Sequence, residues 1–292
     1  MQGKIIKGVG GFYYVHDGSH TIVECRARGS FRSQSLKPLV GDNVRIRLTL
    51  ENPESGYIEE LLPRKNTLIR PAVANADQAL ILVSLSQPPF HPMLLDRFLL
   101  WMEYQALPVI IGINKIDANL PDKERQIREV YEGAGYPVCS FSAQSGQGLS
   151  SLRPLLEGKT TVLAGASGVG KSTLLNALMP WAVMKTGELS QKLGRGRHTT
   201  RHSEIFCFTH QSFLCDTPGF SALDLPEMNE EELAACFPEF APFKERCLFR
   251  DCRHEKEKTC GIRQAEAEGE IALSRYDSYL RFLKEMRDRR SY

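Results

Sequence analysis

Residues 165–172 read GASGVGKS, between an apolar run at 160–164 (TTVLA) and a helix-forming stretch at 172–179 (STLLNALM). This is the strand, glycine-rich loop and helix of a phosphate-binding loop, with Gly165, Gly170, Lys171 and Ser172 where the pattern demands them. Glycines let successive backbone N–H groups turn toward phosphate oxygens, and the helix N-terminus adds positive potential. Lys171 reaches the β and γ phosphates, and the Ser172 hydroxyl serves Mg²⁺. The nucleotide-binding stretch is therefore read as Gly165, Ala166, Ser167, Gly168, Val169, Gly170, Lys171, Ser172 and Thr173. A glycine-rich turn that happens to precede Lys-Ser is the plainer alternative, and the flanking strand and helix count against it.

Outward from this loop, apolar strands alternate with helical stretches. DQALILVSL (77–85) precedes HPMLLDRFLLWMEYQ (91–105), PVIIGINKID (108–117) precedes a charged helix from about Asp122, and PVCSFSA (137–143) precedes a short helix from Leu149. Unbroken Val, Ile and Leu runs between helices predict a parallel sheet covered on both faces. SEIFCFTH (203–210) and SFLCDTP (212–218) supply two more strands.

NKID at 114–117 ends one of these strands, at the carboxyl edge where ligands of such sheets bind. A carboxylate there accepts two hydrogen bonds from guanine N1–H and its exocyclic amine, so Asp117 is the base selector, with Asn114 and Lys115 tying the loop to the phosphate loop. Ser142 and Ala143 close the next strand, where the Ala143 N–H is placed for guanine O6. In DTPG (216–219), Asp216 is read as holding Mg²⁺ through water and the Gly219 N–H as meeting the γ-phosphate.

KTGELSQKLGRGRHTTRH (185–202) is too long and polar for a plain connector and reads as a switch. Thr200 is its Mg²⁺ ligand, with Thr199 the alternative, so the Mg²⁺ set is Ser172, Thr200 and Asp216. Lys192, Arg195, Arg197 and Arg201 make this segment either an exposed basic loop or an RNA contact. Phe220 follows DTPG where some GTPases carry a water-orienting glutamine, so another group must orient the attacking water. His198 is the nearest titratable candidate, its alternative being an exposed loop histidine; the catalytic set is then His198, Lys171 and Thr200.

In an ordinary GTPase the phosphate loop comes before NKxD and SA; here it follows both. Joining the old ends and cutting elsewhere gives this order while keeping the same sheet and loops, a circular permutation.

The flanks differ in kind. Residues 1–70 alternate short apolar runs with turn residues, predicting about five strands in a small antiparallel barrel such as an OB-fold. They hold eleven Lys and Arg against seven Asp and Glu. That excess fits either an RNA-binding face with Arg26, Arg28, Arg32, Lys37, Arg45 and Arg47, or a solvated surface. At the other end CLFRDCRHEKEKTC (247–260) presents Cys247, Cys252, His254 and Cys260, a closed structural zinc set, core cysteines being the alternative. Ala272, Tyr276, Tyr279, Leu283 and Met286 recur at helical spacing and predict a last helix packed on its own domain. The expected domains are residues 1–70, 71–225 and 226–292: a barrel, a permuted α/β GTPase domain and a mostly helical zinc domain.

The 292 residues are 42% hydrophobic and 25% charged, ordinary for a globular protein, and the net charge is +2. The start lacks the apolar block of a signal peptide and no apolar run approaches the eighteen or so residues of a membrane span, so the expectation is a cytoplasmic protein with reduced thiols and no membrane partner; a monomeric state is expected as well. Cys25, Cys139, Cys207, Cys215 and Cys236 are scattered and read as packing.

GINKID, GASGVGKS, GRGRHTTR and DTPGF, with the barrel before them and the Cys-x4-Cys-x-His-x5-Cys cluster after, resemble the ribosome small-subunit-dependent GTPase A family, RsgA, over essentially the whole chain. The resemblance implies a GTPase that uses GTP with Mg²⁺, carries one structural Zn²⁺, and binds the small ribosomal subunit and its rRNA during late maturation, with hydrolysis stimulated by the subunit.

Overall fold

A computed structural model describes residues 1–18, 21–27, 37–49, 52, 54–179, 204–209, 211–216 and 224–290. The chain falls into two compact units, one of Met1–Ala79, Leu149–Ala164 and Lys171–Phe220, the other of Leu80–Gly148, Gly165–Gly170 and Ser221–Tyr292.

In the first unit, β1 (Gln2–Val9), β2 (Phe12–His16), β3 (Ile22–Ala27), β4 (Asn43–Leu48) and β5 (Ser55–Leu61) close into a barrel of order β1-β2-β3-β5-β4, antiparallel as expected except that β3 and β5, which are not consecutive in the chain, pair parallel. Along β3 and β4 alternate residues are buried, the period-2 signature of a sheet with one dry face. Ile5, Val15, Val23, Cys25, Val44, Ile46 and Ile58 fill the interior, so Cys25 is packing, as its isolation in the sequence implied. A short ribbon, β6 (Thr67–Leu68) with β7 (Val73–Ala74), follows the barrel.

Among the described residues the α/β sheet has six strands: β8 (Gln78–Ser84), β9 (Val109–Asn114), β10 (Val138–Phe141), β11 (Thr160–Gly165), β12 (Glu204–Thr209) and β13 (Ser212–Asp216), in the order β10-β9-β8-β11-β13-β12. Every residue of β8, β9 and β11 is buried, which is why these strands read as unbroken apolar runs. β12 runs antiparallel to β13 at the sheet edge. Among the described residues the helices that accompany this sheet are α1 (Pro92–Tyr104), α2 (Pro121–Gly133), α3 (Leu149–Leu156) and α4 (Lys171–Leu178). Prolines sit in the first turns of α1 and α2, where their missing N–H has no intrahelical partner to lose.

Within the first unit the barrel lies against the β12–β13 edge. The His16 ring meets Phe213 edge-on at 5.8 Å between centroids, and the Lys4 ammonium lies 5.3 Å from the centre of that ring.

In the second unit the C-terminal segment contains α5 (Glu230–Ala235), a 3-10 stretch over Pro238–Arg246, α6 (Gly261–Ala267) and α7 (Leu273–Arg290). Asn229 starts α5 with a reciprocal cap, its side chain accepting from the Glu232 N–H while Glu232 accepts from the Asn229 N–H. Tyr276, Tyr279, Leu283 and Met286 are buried as their spacing predicted, in a core shared with Phe237, Phe240, Phe282 and, from α1, Leu100. Arg275, 1% exposed, also belongs to that face. It pairs with Asp96 at 2.7 Å and with Glu239 at 2.7 and 3.2 Å, and helical periodicity cannot announce a buried arginine. Among the described residues no helix is long and apolar enough to cross a membrane.

Candidate functional site

In the second unit β9 delivers Asn114 to the sheet edge, 2% exposed. Its Nδ2 donates to the Val169 carbonyl at 2.8 Å, while its Oδ1 accepts from the N–H of Lys115 at 2.8 Å and of Ala143 at 2.9 Å. One amide thus joins the NKID turn, the phosphate loop and the Ser-Ala loop. The register explains the meeting: β10 runs parallel to β9 with Phe141 beside Asn114, so the chain leaves β10 at Ser142 and Ala143 next to that amide. Ser142 is buried, its hydroxyl accepting from the Ser145 N–H at 3.1 Å. The Ala143 N–H expected at guanine O6 is held by Asn114 in this structure.

Lys115 takes a left-handed backbone conformation and its ammonium bonds the carbonyls of Gln87 and, at 3.0 Å, Gly168. Gln87 carries no motif, so sequence reading missed it as the second anchor of Lys115. Asp117 follows in a 3-10 turn (Ile116–Ala118), exposed and without a protein partner among the described residues, both oxygens open to a ligand.

The loop glycines are required by their neighbours. Gly165 has φ +134°, and a Cβ there would meet the Leu82 carbonyl oxygen at 2.4 Å. Gly170 has φ +102°, and a Cβ there would meet Asn114 Nδ2 at 2.3 Å, so any side chain would expel the amide that joins the loops. Val169 is buried, whereas Ser167 and Gly168 are exposed.

In the first unit Lys171 opens α4, followed by exposed Ser172 and Thr173. Burial lowers the affinity of the Lys171 amine for its proton, and the Asp216 carboxylate opposes that shift. Asp216 ends β13 beside Leu163 of β11 in parallel register. A hydroxyl and a carboxylate are the hard oxygen donors Mg²⁺ accepts, so Ser172 and Asp216 fit that ion. His198, Thr199, Thr200, Gly219, Phe220 and the basic residues Lys192, Arg195, Arg197 and Arg201 lie outside the described residues.

On the barrel, the Arg26 guanidinium lies 4.6 Å from the centre of the Phe12 ring, Arg45 pairs with Glu60 at 3.0 Å and Arg47 with Glu59 at 3.4 Å. Lys37 is exposed; Arg28 and Arg32 lie outside the described residues.

The four ligand atoms of Cys247, Cys252, His254 and Cys260 all lie within 4.8 Å of one another. Cys247 Sγ is 3.6 Å from His254 Nδ1 and 3.9 Å from Cys260 Sγ, and Nδ1 is 3.4 Å from Cys260 Sγ. Zinc bond lengths of about 2.3 Å to sulfur and 2.0 Å to nitrogen give tetrahedral edges of about 3.5 to 3.8 Å, so the set fits Zn²⁺. Burial pushes the Cys252 thiol up to about 12, its sulfur neighbours adding to the shift, and a cation is the natural offset. Supporting bonds surround the cluster: the Gly261 N–H points to Cys247 Sγ at 3.3 Å, and the Tyr276 and Tyr279 hydroxyls donate to the carbonyls of His254 and Arg253, each at 2.7 Å. The sequence offered these tyrosines only as packing.

Residues 61–226 match the family model described as RsgA GTPase, and residues 2–58 match the RsgA N-terminal domain. A protein of Agathobacter rectalis named small ribosomal subunit biogenesis GTPase RsgA is 45% identical, with all of both chains covered. A relative of the same name from Alkaliphilus metalliredigens is also 45% identical, over 100% of this chain and 99% of its own. Among solved structures, YloQ, described as a circularly permuted GTPase, superposes with a TM-score of 0.80 at 40% identity, over 99% of this chain and 95% of its own. YjeQ from Thermotoga maritima does so with a TM-score of 0.83 at 36% identity, over 98% of each chain.

Proposed function

The chain belongs to the RsgA GTPase family, and on that premise we propose that it hydrolyses GTP to GDP and phosphate in late maturation of the small ribosomal subunit, with turnover stimulated by the subunit. The observation that carries the nucleotide reading is the Asn114 amide, which gathers the base-reading turn, the Ser-Ala loop and the phosphate loop.

Asp117 selects guanine by accepting from N1–H and the exocyclic amine, and Lys115 covers the base. The Ala143 N–H reaches O6 by sharing its hydrogen bond with Asn114. The loop from Gly165 through Gly170 wraps the phosphates with its N–H groups, Lys171 neutralises charge on the β and γ oxygens, and Thr173 continues the cradle. Ser172 and Asp216 would hold Mg²⁺, which would supply positive charge against the phosphate oxygens. From the sequence alone, Thr200 joins that set, Gly219 meets the γ-phosphate and His198 orients the attacking water. Cys247, Cys252, His254 and Cys260 hold one structural Zn²⁺, and the barrel, through Arg26, Lys37 and Arg45, meets rRNA phosphates.

Phosphate release with and without small subunits tests this reading. Turnover is expected to be slow alone and faster with subunits, and His198→Ala to remove most of the stimulated part while GTP and subunit binding stay near wild type. A chain whose turnover ignores subunits would remove stimulation from the reading. An unchanged His198→Ala variant would pass the water to another group.

A further inference from the structure

Lys7 leaves the barrel on β1 just past a register shift between Ile5 and Lys7, and such irregularities re-aim side chains. Its ammonium bonds Glu204 Oε1 at 2.9 Å, a residue on the first position of β12. Glu204 stands directly across from Asp216 in the antiparallel β12–β13 pair. Directly opposed residues project from the same face of a sheet with Cβ atoms about 5 Å apart, and like charges placed so repel one another. A second carboxylate therefore stands beside the one assigned to Mg²⁺, and a lysine from the barrel neutralises it. With side chains 25% and 42% exposed, the pair adds little to stability, and its location is what gives it a consequence.

We infer that Lys7 and Glu204 are positioning residues that set the charge at the metal end of β13. A bare Glu204 strengthens the attraction of this strand end for Mg²⁺, and a bare Lys7 weakens it. In water-accessible surroundings at physiological salt, one unit charge at this range changes Mg²⁺ affinity about two- to threefold. An anion that draws Lys7 away acts as removal of the lysine would. A phosphate backbone on the barrel is such an anion, which gives the barrel a way to report a bound RNA to the metal; this last step rests on the function proposed above.

The test is the Mg²⁺ dependence of binding of a fluorescent GDP analogue to the full chain, for wild type, Lys7→Gln, Glu204→Gln and the double variant, with Lys7→Arg retaining the pair. The Mg²⁺ concentration at half effect should fall in Lys7→Gln, rise in Glu204→Gln and return to wild type in the double variant and in Lys7→Arg. In 0.5 M salt, an ionic strength at which the Debye length falls to about 4 Å, the split should narrow. A purely structural role would move both single variants the same way. Shifts of one sign, no shifts, or a double variant displaced as far as a single one would overturn the inference. If analogue binding by wild type ignores Mg²⁺, the assignment of Asp216 and the inference fall together. Small subunits should lower the Mg²⁺ requirement of wild type and leave the double variant unmoved; failure of wild type to bind subunits removes the RNA step, and the free-chain pattern still judges the rest.

Discussion

At the end of β9 one side chain satisfies three backbone groups and so ties three loops together. Around residues 247–260 three thiols and an imidazole face one another with their ligand atoms all within 4.8 Å, each a poor neighbour for the next until a cation joins them. The first region is shaped by neutral bonds that need no ligand, so binding there changes occupancy and selectivity. The second is shaped around charge, so binding there supplies folding energy.

The comparison is tested hardest by removing metal. About one zinc per chain should be found, and chelation should cost the C-terminal segment roughly 10 kcal/mol or more of apparent binding energy. Hydrogen exchange should then show protection lost over residues 247–290 and retained on β9. Purified protein without zinc that keeps that protection would leave the four residues as ordinary core.

Asp117→Asn acts on the bound base and leaves the fold alone. A site built around donors rejects a base lacking them by about 10⁴-fold, so competition between GTP and ATP should show that preference collapsing while thermal stability stays unchanged. Unchanged discrimination would remove Asp117 from the base site.

Arg275→Met sharpens the role of charge inside the second unit. It leaves Asp96 and Glu239 buried without their cation, and urea unfolding should report a loss of about 3–5 kcal/mol. A stability within 1 kcal/mol of wild type would mean that the carboxylates find water or protons cheaply.

The smallest effect belongs to the neutral hub. Asn114→Ala strands the Val169 carbonyl and the Ala143 N–H, at about 1–3 kcal/mol for a buried unpaired group, and should weaken nucleotide binding roughly tenfold with the fold intact. Equal affinity in that variant would mean the loops hold their places without it.

How far the sequence could be read varied with the kind of signal. GASGVGKS, NKID and the cysteine spacing announced chemistry because each needs particular residue types at short fixed separations. The helix at Leu149–Leu156 and the strands ending at Asn114 and Asp216 were legible for the same local reason, their periodicity and apolar runs. Arg275 was not: a charged residue on an apolar helical face reads as surface, and only the convergence of Asp96 and Glu239 from distant segments buries it. The Gln87 carbonyl under Lys115 was equally silent, since any residue supplies a carbonyl.

By itself, then, the sequence determined the runs of strand and helix, the order of the nucleotide-loop motifs and which residue types could serve as ligands, because backbone propensity, hydrophobic period and donor chemistry act over a few residues. The tertiary structure alone decided which carbonyl each side chain meets, that Gly170 must yield room to Asn114, and that Lys7 lies against Glu204, 197 residues away and across from Asp216. Those outcomes depend on strand register and on the placing of one element against another, and both are settled by packing over separations that no local pattern records.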